Sequence, residues 1–214
     1  MSEYAAARLN MVETQVRPND VTDVRIQKAM LEIPREDFVT ERLRSIAYME
    51  GCPELGNGRA LLDPRSFAKL AHLAGLRASD LVLDVGCGTG YSSAVLARCS
   101  GQVVALEEDR QLAARARQLV ARHGNIDVVE GRLVDGWPQA APYDVIFVNG
   151  AAEFRPDTLL AQLNEGGRLV CFIRDGAGHA HLFVRGEGAI SDRIAFDADV
   201  PVLPGFARKP SFVF

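Results

Sequence analysis

The sequence of 214 residues has no long apolar run and no recognisable targeting segment. A membrane-spanning helix needs about 20 consecutive apolar residues, and every apolar run here is far shorter. The N-terminal segment Met1-Ser2-Glu3-Tyr4 lacks the basic stretch and the following apolar stretch of a signal peptide. We therefore expect a cytoplasmic protein that has no membrane partner.

Cysteine and histidine are scarce, with four of each. The spacing of the cysteines forms neither a Cys-x-x-Cys pair nor a zinc motif, so we expect reduced, mostly buried thiols at Cys52, Cys87, Cys99 and Cys171. Among the histidines, only His179 and His181 have a spacing that would place them on one face of a strand. No third ligand accompanies them, so the sequence predicts no metal site.

A large excess of charge of one sign is also absent. The net charge is −4, and the 24 Lys and Arg residues form no basic stripe. A general nucleic-acid partner is therefore not expected, because no cationic surface is available to replace the counterions of a phosphate backbone. Apolar residues make up 48% of the chain and charged residues 24%, as in an ordinary globular protein. This length suffices for one α/β domain with a buried core.

Residues 1–77 of the single predicted domain are expected to form a helical layer. Apolar spacing and helix-capping residues predict helices over residues 4–17, 21–32, 38–50 and 64–74. Asp20 is the expected N-cap of the second helix, and Gly75 is the expected C-cap of the last. Residues 51–63 are rich in Gly and Pro and predict a loop.

Residues 78–214 are expected to hold an α/β core and C-terminal strands. Short apolar runs predict strands over residues 81–85, 102–106, 126–129, 143–148 and 168–173. Helices are expected between them over residues 91–99, 109–123 and 156–163, the second closed by Gly124. The tail from about residue 180 predicts strands and turns. The alternation favours a Rossmann-like, mostly parallel sheet with helices on both faces.

A glycine-rich loop, Asp84-Val85-Gly86-Cys87-Gly88-Thr89-Gly90, joins the first core strand to the following helix. The carboxyl edge of a parallel sheet is where α/β folds bind ligands. Glycine at positions 86, 88 and 90 would let a ligand approach the backbone closely. Asp84, at the end of the strand, is a candidate partner for a cationic or amine group.

An acidic residue, Glu107, ends the second predicted core strand. A carboxylate at that edge can accept hydrogen bonds from both hydroxyls of a ribose. The alternative is that Glu107 and Glu108 form a solvated helix start, which the helix dipole favours. In the context of the glycine loop we favour ribose binding by Glu107, with Glu108 as the candidate if the register differs by one residue.

The spacing of the glycines argues against a dinucleotide cofactor. The dinucleotide fingerprint is Gly-x-Gly-x-x-Gly, and Tyr91 occupies the position of its third glycine. The sequence also has no phosphate-binding loop with Lys followed by Ser or Thr. S-adenosylmethionine carries no phosphate, so the spacing favours this sulfonium nucleoside as the cofactor.

The chain resembles the protein-L-isoaspartate O-methyltransferase family over nearly its whole length. The segments that carry the resemblance are 33–39, Ala47-Tyr48, 83–91, 104–107, Gly136-Trp137-Pro138, 141–144 and 162–170. The resemblance implies a class I methyltransferase fold and methyl transfer from S-adenosylmethionine to the carboxylate of an isoaspartyl residue, which begins protein repair. It also implies a peptide or protein partner. By position in the family pattern, the further cofactor-binding candidates are Cys87, Tyr91, Arg132, Leu133 and Asn149.

The loop before the first core helix departs from the family pattern. The family reads Gly-Gln-Thr-Ile-Ser-Gln-Pro, and this chain reads Gly58-Arg59-Ala60-Leu61-Leu62-Asp63-Pro64. Ala60 replaces the threonine and Leu62 replaces the catalytic serine, so no catalytic residue is assigned. Arg59 and Asp63 are the candidate acceptor contacts, since a guanidinium can hold a carboxylate by two parallel bonds. Alternatively, Asp63 pairs with Arg59 and neutralises it.

Further departures lie near the expected cofactor. Gly131-Arg132-Leu133 stands where the family has Gly-Asp-Gly, and Asn149-Gly150-Ala151 where it has Thr-Ala-Ala. The tail from Leu203 to Phe214 is also unlike the family's, and we expect it to pack over the acceptor cleft. Two alternatives therefore remain beside isoaspartyl methylation: a methyltransferase with another acceptor, and a cofactor-binding protein that has lost isoaspartyl catalysis.

Overall fold

The computed structural model describes residues 3–208. Within them the chain forms a seven-stranded sheet in the order β5-β4-β3-β6-β7-β8-β9, and a separate two-stranded hairpin of β1 and β2. The strands are β1 Glu54–Gly56, β2 Arg59–Ala60, β3 Leu81–Val85, β4 Gln102–Glu107, β5 Ile126–Glu130, β6 Tyr143–Ala152, β7 Leu163–Asp175, β8 Ala177–Gly186 and β9 Ala189–Asp197. Strands β3 to β7 pair in parallel, and β8 and β9 are added in antiparallel. The predicted mostly parallel Rossmann-like sheet is confirmed.

Both faces of the sheet are covered, which explains why its central strands are apolar throughout. Successive side chains of a strand point to opposite faces. In β3, Val82 therefore joins the larger core cluster, and Leu83 and Val85 join the smaller one on the other face. Asp84 and Glu107 point to the face of the larger cluster, because their strand neighbours Val82 and Ala105 lie there. The N-terminal helices pack on this same face.

The described helices are α1 Glu3–Met11, α2 Val24–Glu32, α3 Pro64–Leu73, α4 Tyr91–Leu96, α5 Arg110–Val120 and α6 Asp157–Leu160. Aspartates cap three of them: Asp23 accepts from Arg25 N, Asp63 from Ser66 N, and Asp109 from Gln111 N and Leu112 N. A carboxylate at this position satisfies amides that the first turn leaves free. No helix in the range 3–208 is long and apolar enough to cross a membrane.

Several N-terminal predictions are corrected. The helix expected over 4–17 continues beyond α1 only as a π-helical and a 3₁₀ turn, and Asp20 takes a left-handed conformation instead of capping α2. The helix expected over 38–50 is reduced to 3₁₀ turns at Arg35–Phe38 and Glu41–Ile46. The loop expected over 51–63 contains the β1–β2 hairpin, whose turn residues Asn57 and Gly58 both have positive φ. Asn-Gly is a strong signal for such a turn.

Corrections in the core concern element ends. The C-cap of α3 is Ala74, and Gly75 follows it with a φ of +57°. Helix α5 ends at Val120 with Ala121 as its cap, so Gly124 does not close it. The helix expected over 156–163 has four residues, because β7 already begins at Leu163.

The chain after β9 returns across the carboxyl edge of the sheet. Val202 bridges Ala151 in parallel, and Leu203 N donates to Ala151 O at 2.9 Å. Phe206 is buried, and its ring stacks on Phe154. Leu203 therefore lies where the central strands end. Residues 209–214 of the predicted C-terminal tail lie outside the described residues.

Candidate cofactor site at the carboxyl edge of the sheet

The glycine loop makes a tight turn between β3 and α4. Gly86, Gly88 and Gly90 have φ values of +77°, +58° and +94°, a region that side chains with a Cβ rarely adopt. Gly86 N and Cys87 N both donate to Leu106 O, at 2.9 and 3.1 Å, which fixes the turn beside β4. The backbone of this turn is therefore specified by its glycines.

Asp84 is buried beneath the turn and uses both carboxylate oxygens on neighbours. Its Oδ2 accepts from Ser92 Oγ at 2.7 Å and from Ser93 Oγ at 2.5 Å, and its Oδ1 accepts from Asn149 Nδ2. Burial raises the pKa of Asp84 to about 6, and these hydrogen bonds oppose the rise. The carboxyl thus joins α4 to β3 and β6. The sequence reasoning missed Ser92 and Ser93, although two hydroxyls in the first turn of α4 were a readable signal.

Glu107 lies at the end of β4, directly against the glycine turn. Its Oε2 accepts from Gly88 N at 2.7 Å, and its Oε1 accepts from the backbone N of Glu108 and of Asp109 at 3.0 and 3.2 Å. The residue is 0% exposed, so the alternative of a solvated helix start is wrong for Glu107. Glu108 is exposed, and its Oε2 accepts from Leu133 N at 3.3 Å.

Arg59, from β2, covers this carboxylate. Its Nη2 lies 3.1 Å from Glu107 Oε2, and its Nε lies 3.3 and 3.4 Å from the two carboxylate oxygens. Nη2 also donates to Gly86 O at 2.6 Å, and the side chain is almost fully buried. The suggested pairing of Arg59 with Asp63 is wrong, because Asp63 caps α3 instead.

Two leucines complete the cover over the glycines. A Cβ placed on Gly88 would lie 2.8 Å from Leu55 Cδ1, and one placed on Gly150 would lie 2.7 Å from Leu203 Cγ. At Gly86 it would meet Arg59 Nη2 at 2.7 Å and Leu203 Cδ2 at 3.3 Å. The space left by the missing side chains is therefore filled by Arg59, Leu55 and Leu203. The sequence predicted no role for Leu55 and placed Leu203, with the tail, over the acceptor cleft, whereas in the structure Leu203 lies beside Gly86 and Gly150.

Of the remaining cofactor candidates, three have buried side chains and one, Arg132, has an exposed side chain. Cys87 and Tyr91 are buried at the turn, and burial raises the pKa of both side chains. Leu133 is fully buried in the smaller core cluster, near the end of β4. Arg132 is exposed and pairs with Asp135 at 3.3 Å. Of the predicted set, Asp84, Cys87, Tyr91, Glu107 and Asn149 therefore lie at or beneath the glycine turn, whereas Leu133 lies in the other core cluster and the Arg132 side chain is exposed.

Leu62, at the position of the family's serine, points into the core and is 4% exposed. Its carbonyl oxygen accepts from Arg35 Nη2 at 2.7 Å. Arg35 is fully buried, also donates to Ala47 O at 2.7 Å, and places its guanidinium 4.9 Å from the centre of the Tyr91 ring. Arg35 thus connects the helical layer, the altered loop and the first residue of α4.

A groove opens beside the altered loop. Its volume is about 630 Å³, and its lining includes Cys52, Asp63, Ser66, Arg174, Asp199 and Pro201. A smaller cavity of about 280 Å³ shares Cys52 and Pro201 with it and reaches Arg59 and Ala60. These two spaces could receive an extended acceptor close to the glycine turn.

His179 and His181 lie on β8, each with an aspartate partner on β9. Their Nδ1 atoms are 2.7 Å from carboxylate oxygens of Asp197 and Asp192. Between residues 3 and 208 there is no cluster of three or more His, Cys, Asp or Glu side chains arranged to hold a metal ion. The two histidines are therefore members of separate cross-strand pairs.

Comparison with known proteins places this arrangement in a family. The family model for protein-L-isoaspartate(D-aspartate) O-methyltransferase matches residues 7–197. The chain is 37% identical to the protein-L-isoaspartate O-methyltransferase of Halorhodospira halophila, over 96% of this chain and 99% of the relative. It is 39% identical to the protein of the same name from Methanoculleus marisnigri, over 76% of this chain and 75% of the relative.

Solved structures agree with the sequence relatives. A protein-L-isoaspartate O-methyltransferase structure, 30% identical, matches with a TM-score of 0.80 over 92% of this chain and 66% of its own. A Plasmodium falciparum structure described as a putative member, in complex with S-adenosyl-L-homocysteine, is 19% identical and shares the fold with a TM-score of 0.77, over 95% and 99% of the two chains. The chain therefore belongs to the protein-L-isoaspartate O-methyltransferase family, whose members are S-adenosylmethionine-dependent methyltransferases.

Proposed function

We propose that this chain transfers the methyl group of S-adenosylmethionine to a carboxylate of a peptide or protein acceptor. The observation that carries the proposal is the position of Glu107, whose carboxylate is fixed by backbone amides against the Gly86–Gly90 turn. A ribose hydroxyl could be held there, at the carboxylate position that the three backbone amides leave to Arg59. A cytoplasmic location for this reaction stays a prediction.

The chemistry of the residues at the turn fits S-adenosylmethionine. The glycines allow a close approach to the backbone, and the Glu107 carboxylate is a hydrogen-bond acceptor suited to a ribose. In the described conformation, however, Arg59 occupies the carboxylate, and Leu55 and Leu203 lie over the glycines. Cofactor binding therefore requires these side chains to move.

The groove beside Asp63 and Ser66 is the proposed place of the acceptor. A bound sulfonium cofactor would supply a methyl group that its positive charge already activates. A carboxylate is ionised at neutral pH, with a reference pKa of about 4, so the protein needs no strong base. What the chain must supply is placement of the carboxylate and exclusion of water. Arg174 is a cationic side chain in the groove that could orient it by exchanging its contact with Asp199, whose Oδ1 lies 3.9 Å from Arg174 Nε.

A second candidate function is supported by the altered loop. Neither Ala60 nor Leu62 carries a hydroxyl, and the Leu62 side chain is buried away from the groove. These observations favour a family member that binds the cofactor but has lost isoaspartyl catalysis.

The two candidates are separated by a methyl-transfer assay. Tritium from the labelled methyl group would be measured on an isoaspartyl peptide, on the same peptide with ordinary aspartate, and on small carboxylates. Transfer to a peptide supports the first proposal, and transfer to the isoaspartyl peptide alone identifies the acceptor as isoaspartate; transfer only to small carboxylates contradicts a peptide acceptor. Cofactor binding by calorimetry without transfer to any of the three supports the second, and absence of binding contradicts both.

A further inference from the structure

We infer that Arg59 is a latch that keeps the cofactor site closed, and that S-adenosylmethionine binds only after Arg59 has left Glu107. This inference rests on the proposed function, because it assumes that the ribose uses the Glu107 carboxylate. It concerns the regulation of that site by a residue of the chain itself.

Every acceptor position of the Glu107 carboxylate is occupied. A carboxylate has about four lone-pair positions. In Glu107 they face three backbone N–H groups, from Gly88, Glu108 and Asp109, and the guanidinium of Arg59. Gly88 N belongs to the glycine turn, and Glu108 N and Asp109 N directly follow β4, so all three amides are part of the backbone that forms the site. A ribose hydroxyl can therefore reach the carboxylate only by replacing Arg59.

The two members of the Arg59–Glu107 pair depend on each other unequally. Without Arg59, the Glu107 carboxylate would keep its three amide donors. Without Glu107, the buried guanidinium would keep only the Gly86 carbonyl among the contacts described. Removing one member of a buried ion pair is costly when it leaves the other charge uncompensated. Arg59 is thus the partner that can leave, as a latch requires.

Arg59 is carried by a small element that has few contacts of its own. The β1–β2 hairpin has strands of three and two residues, which are marginal without support. It carries Leu55, over Gly88, as well as Arg59, over Gly86. Its turn is held by an exposed hydrogen bond from Asn57 Nδ2 to Asp109 Oδ2 at 2.6 Å. Movement of this one hairpin would uncover Gly88 and the Glu107 carboxylate together and would take Arg59 away from Gly86, whereas Leu203 would stay beside Gly86.

A closed site weakens the apparent affinity by the fraction of molecules that are open. Calorimetry of S-adenosyl-L-homocysteine binding to the ligand-free protein measures this apparent affinity. We expect Arg59→Gln to bind at least about tenfold more tightly than the wild type. Arg59→Lys keeps a cation near Glu107 and should stay close to the wild-type affinity, which separates loss of charge from loss of fold.

Arg168 offers a matched control. It is also buried in an ion pair, with its Nη2 2.5 Å from Asp80 Oδ2, and it binds the carbonyl oxygens of Ala74 and Gly75 at the opposite end of the sheet. Arg168→Gln should lower stability without raising affinity for the nucleoside. Circular dichroism would confirm that each variant is folded before titration.

Tighter binding by Arg59→Gln alone supports the latch. Equal, measurable binding by the wild type and by Arg59→Gln overturns the latch and leaves the proposed cofactor site standing. No binding by any folded variant at millimolar nucleoside overturns the proposed site, and the latch with it.

Discussion

Arg35 donates a hydrogen bond from Nη2 to the carbonyl oxygen of Leu62 at 2.7 Å, from inside the N-terminal layer. The same guanidinium holds Ala47 O and stacks on Tyr91, the first residue after the glycine turn. One buried cation therefore fixes both the altered loop and the start of α4. The helical layer is thereby connected to the geometry of the proposed site.

Arg35→Ala should destabilise the protein by about 3 kcal/mol or more, because it removes two hydrogen bonds from a charged donor and leaves a cavity. Arg35→Lys should recover only part of this, since a single ammonium cannot replace the planar fork. Urea unfolding measures both values. The exposed Arg132→Ala is the control and should change stability by less than about 0.5 kcal/mol. A small effect of Arg35→Ala would contradict its anchoring role.

Glu107→Gln and Arg59→Gln should differ in their cost to stability. The first leaves a buried guanidinium without its carboxylate, and we expect a loss of about 3–5 kcal/mol. The second leaves a carboxylate that three amides still satisfy, so its cost should be clearly smaller. Denaturant unfolding of the two variants under the same conditions tests this order, and equal losses would show that the pair acts as a symmetric structural unit.

Asp84 should make stability depend on pH in mildly acidic solution. Burial raises its pKa to about 6 in the folded protein, above the usual value of about 4 in the unfolded chain. The folded state therefore binds more protons between about pH 4 and pH 6, so this group's contribution to stability falls as pH rises through that window.

The matched variant for this effect is Asp84→Asn, which cannot titrate. The difference in unfolding free energy between wild type and variant cancels the contribution of the other groups. We expect that difference to shift against the wild type by up to about 3 kcal/mol between pH 4 and pH 6.5. A difference that is flat across this range would show that Asp84 has an ordinary pKa.

Gly86→Ala should destabilise the turn by about 1–2 kcal/mol through its left-handed backbone alone. The new Cβ would also lie 2.7 Å from Arg59 Nη2, which adds to the loss. Gly124 is the control, because a Cβ there meets nothing within 4 Å and its φ is not positive. Gly124→Ala should be neutral or slightly stabilising. If thermal unfolding showed the same change in melting temperature for Gly86→Ala and Gly124→Ala, this would be evidence against strain at the turn.

The parallel sheet and the glycine turn could be predicted because their signals are local. A buried parallel strand such as Leu81–Val85 is apolar along its whole length, and the turn follows it directly in sequence. The hairpin could also have been found, since Asn57-Gly58 is a turn signal.

The closure of the site could not be predicted from sequence patterns. The contact of Leu203 with Gly86 and Gly150 depends on the path of the chain after β9, beyond the segment that the family model matches. The Arg59–Glu107 pair joins residues far apart in sequence. Both charges are visible in the sequence, but nothing local shows that the hairpin folds onto β4. The sequence reasoning therefore identified Arg59 but placed it at the acceptor.

The last prediction concerns the two lost hydroxyls, which should not be equivalent. Leu62 is a core residue whose carbonyl is held by Arg35, so a serine in its place would point into the core. Leu62→Ser should lower stability by about 2–5 kcal/mol without raising isoaspartyl methylation.

Ala60 instead lines the smaller cavity, where a new hydroxyl could donate to an acceptor carboxylate. Such a bond is worth about 1.5–3 kcal/mol and, when it persists in the transition state, Ala60→Thr should raise kcat/KM for the peptide about ten- to a hundredfold. Tritium transfer to an isoaspartyl peptide at saturating cofactor measures both variants. A gain from Leu62→Ser with none from Ala60→Thr would mean that the loop rearranges and that position 62 faces the acceptor.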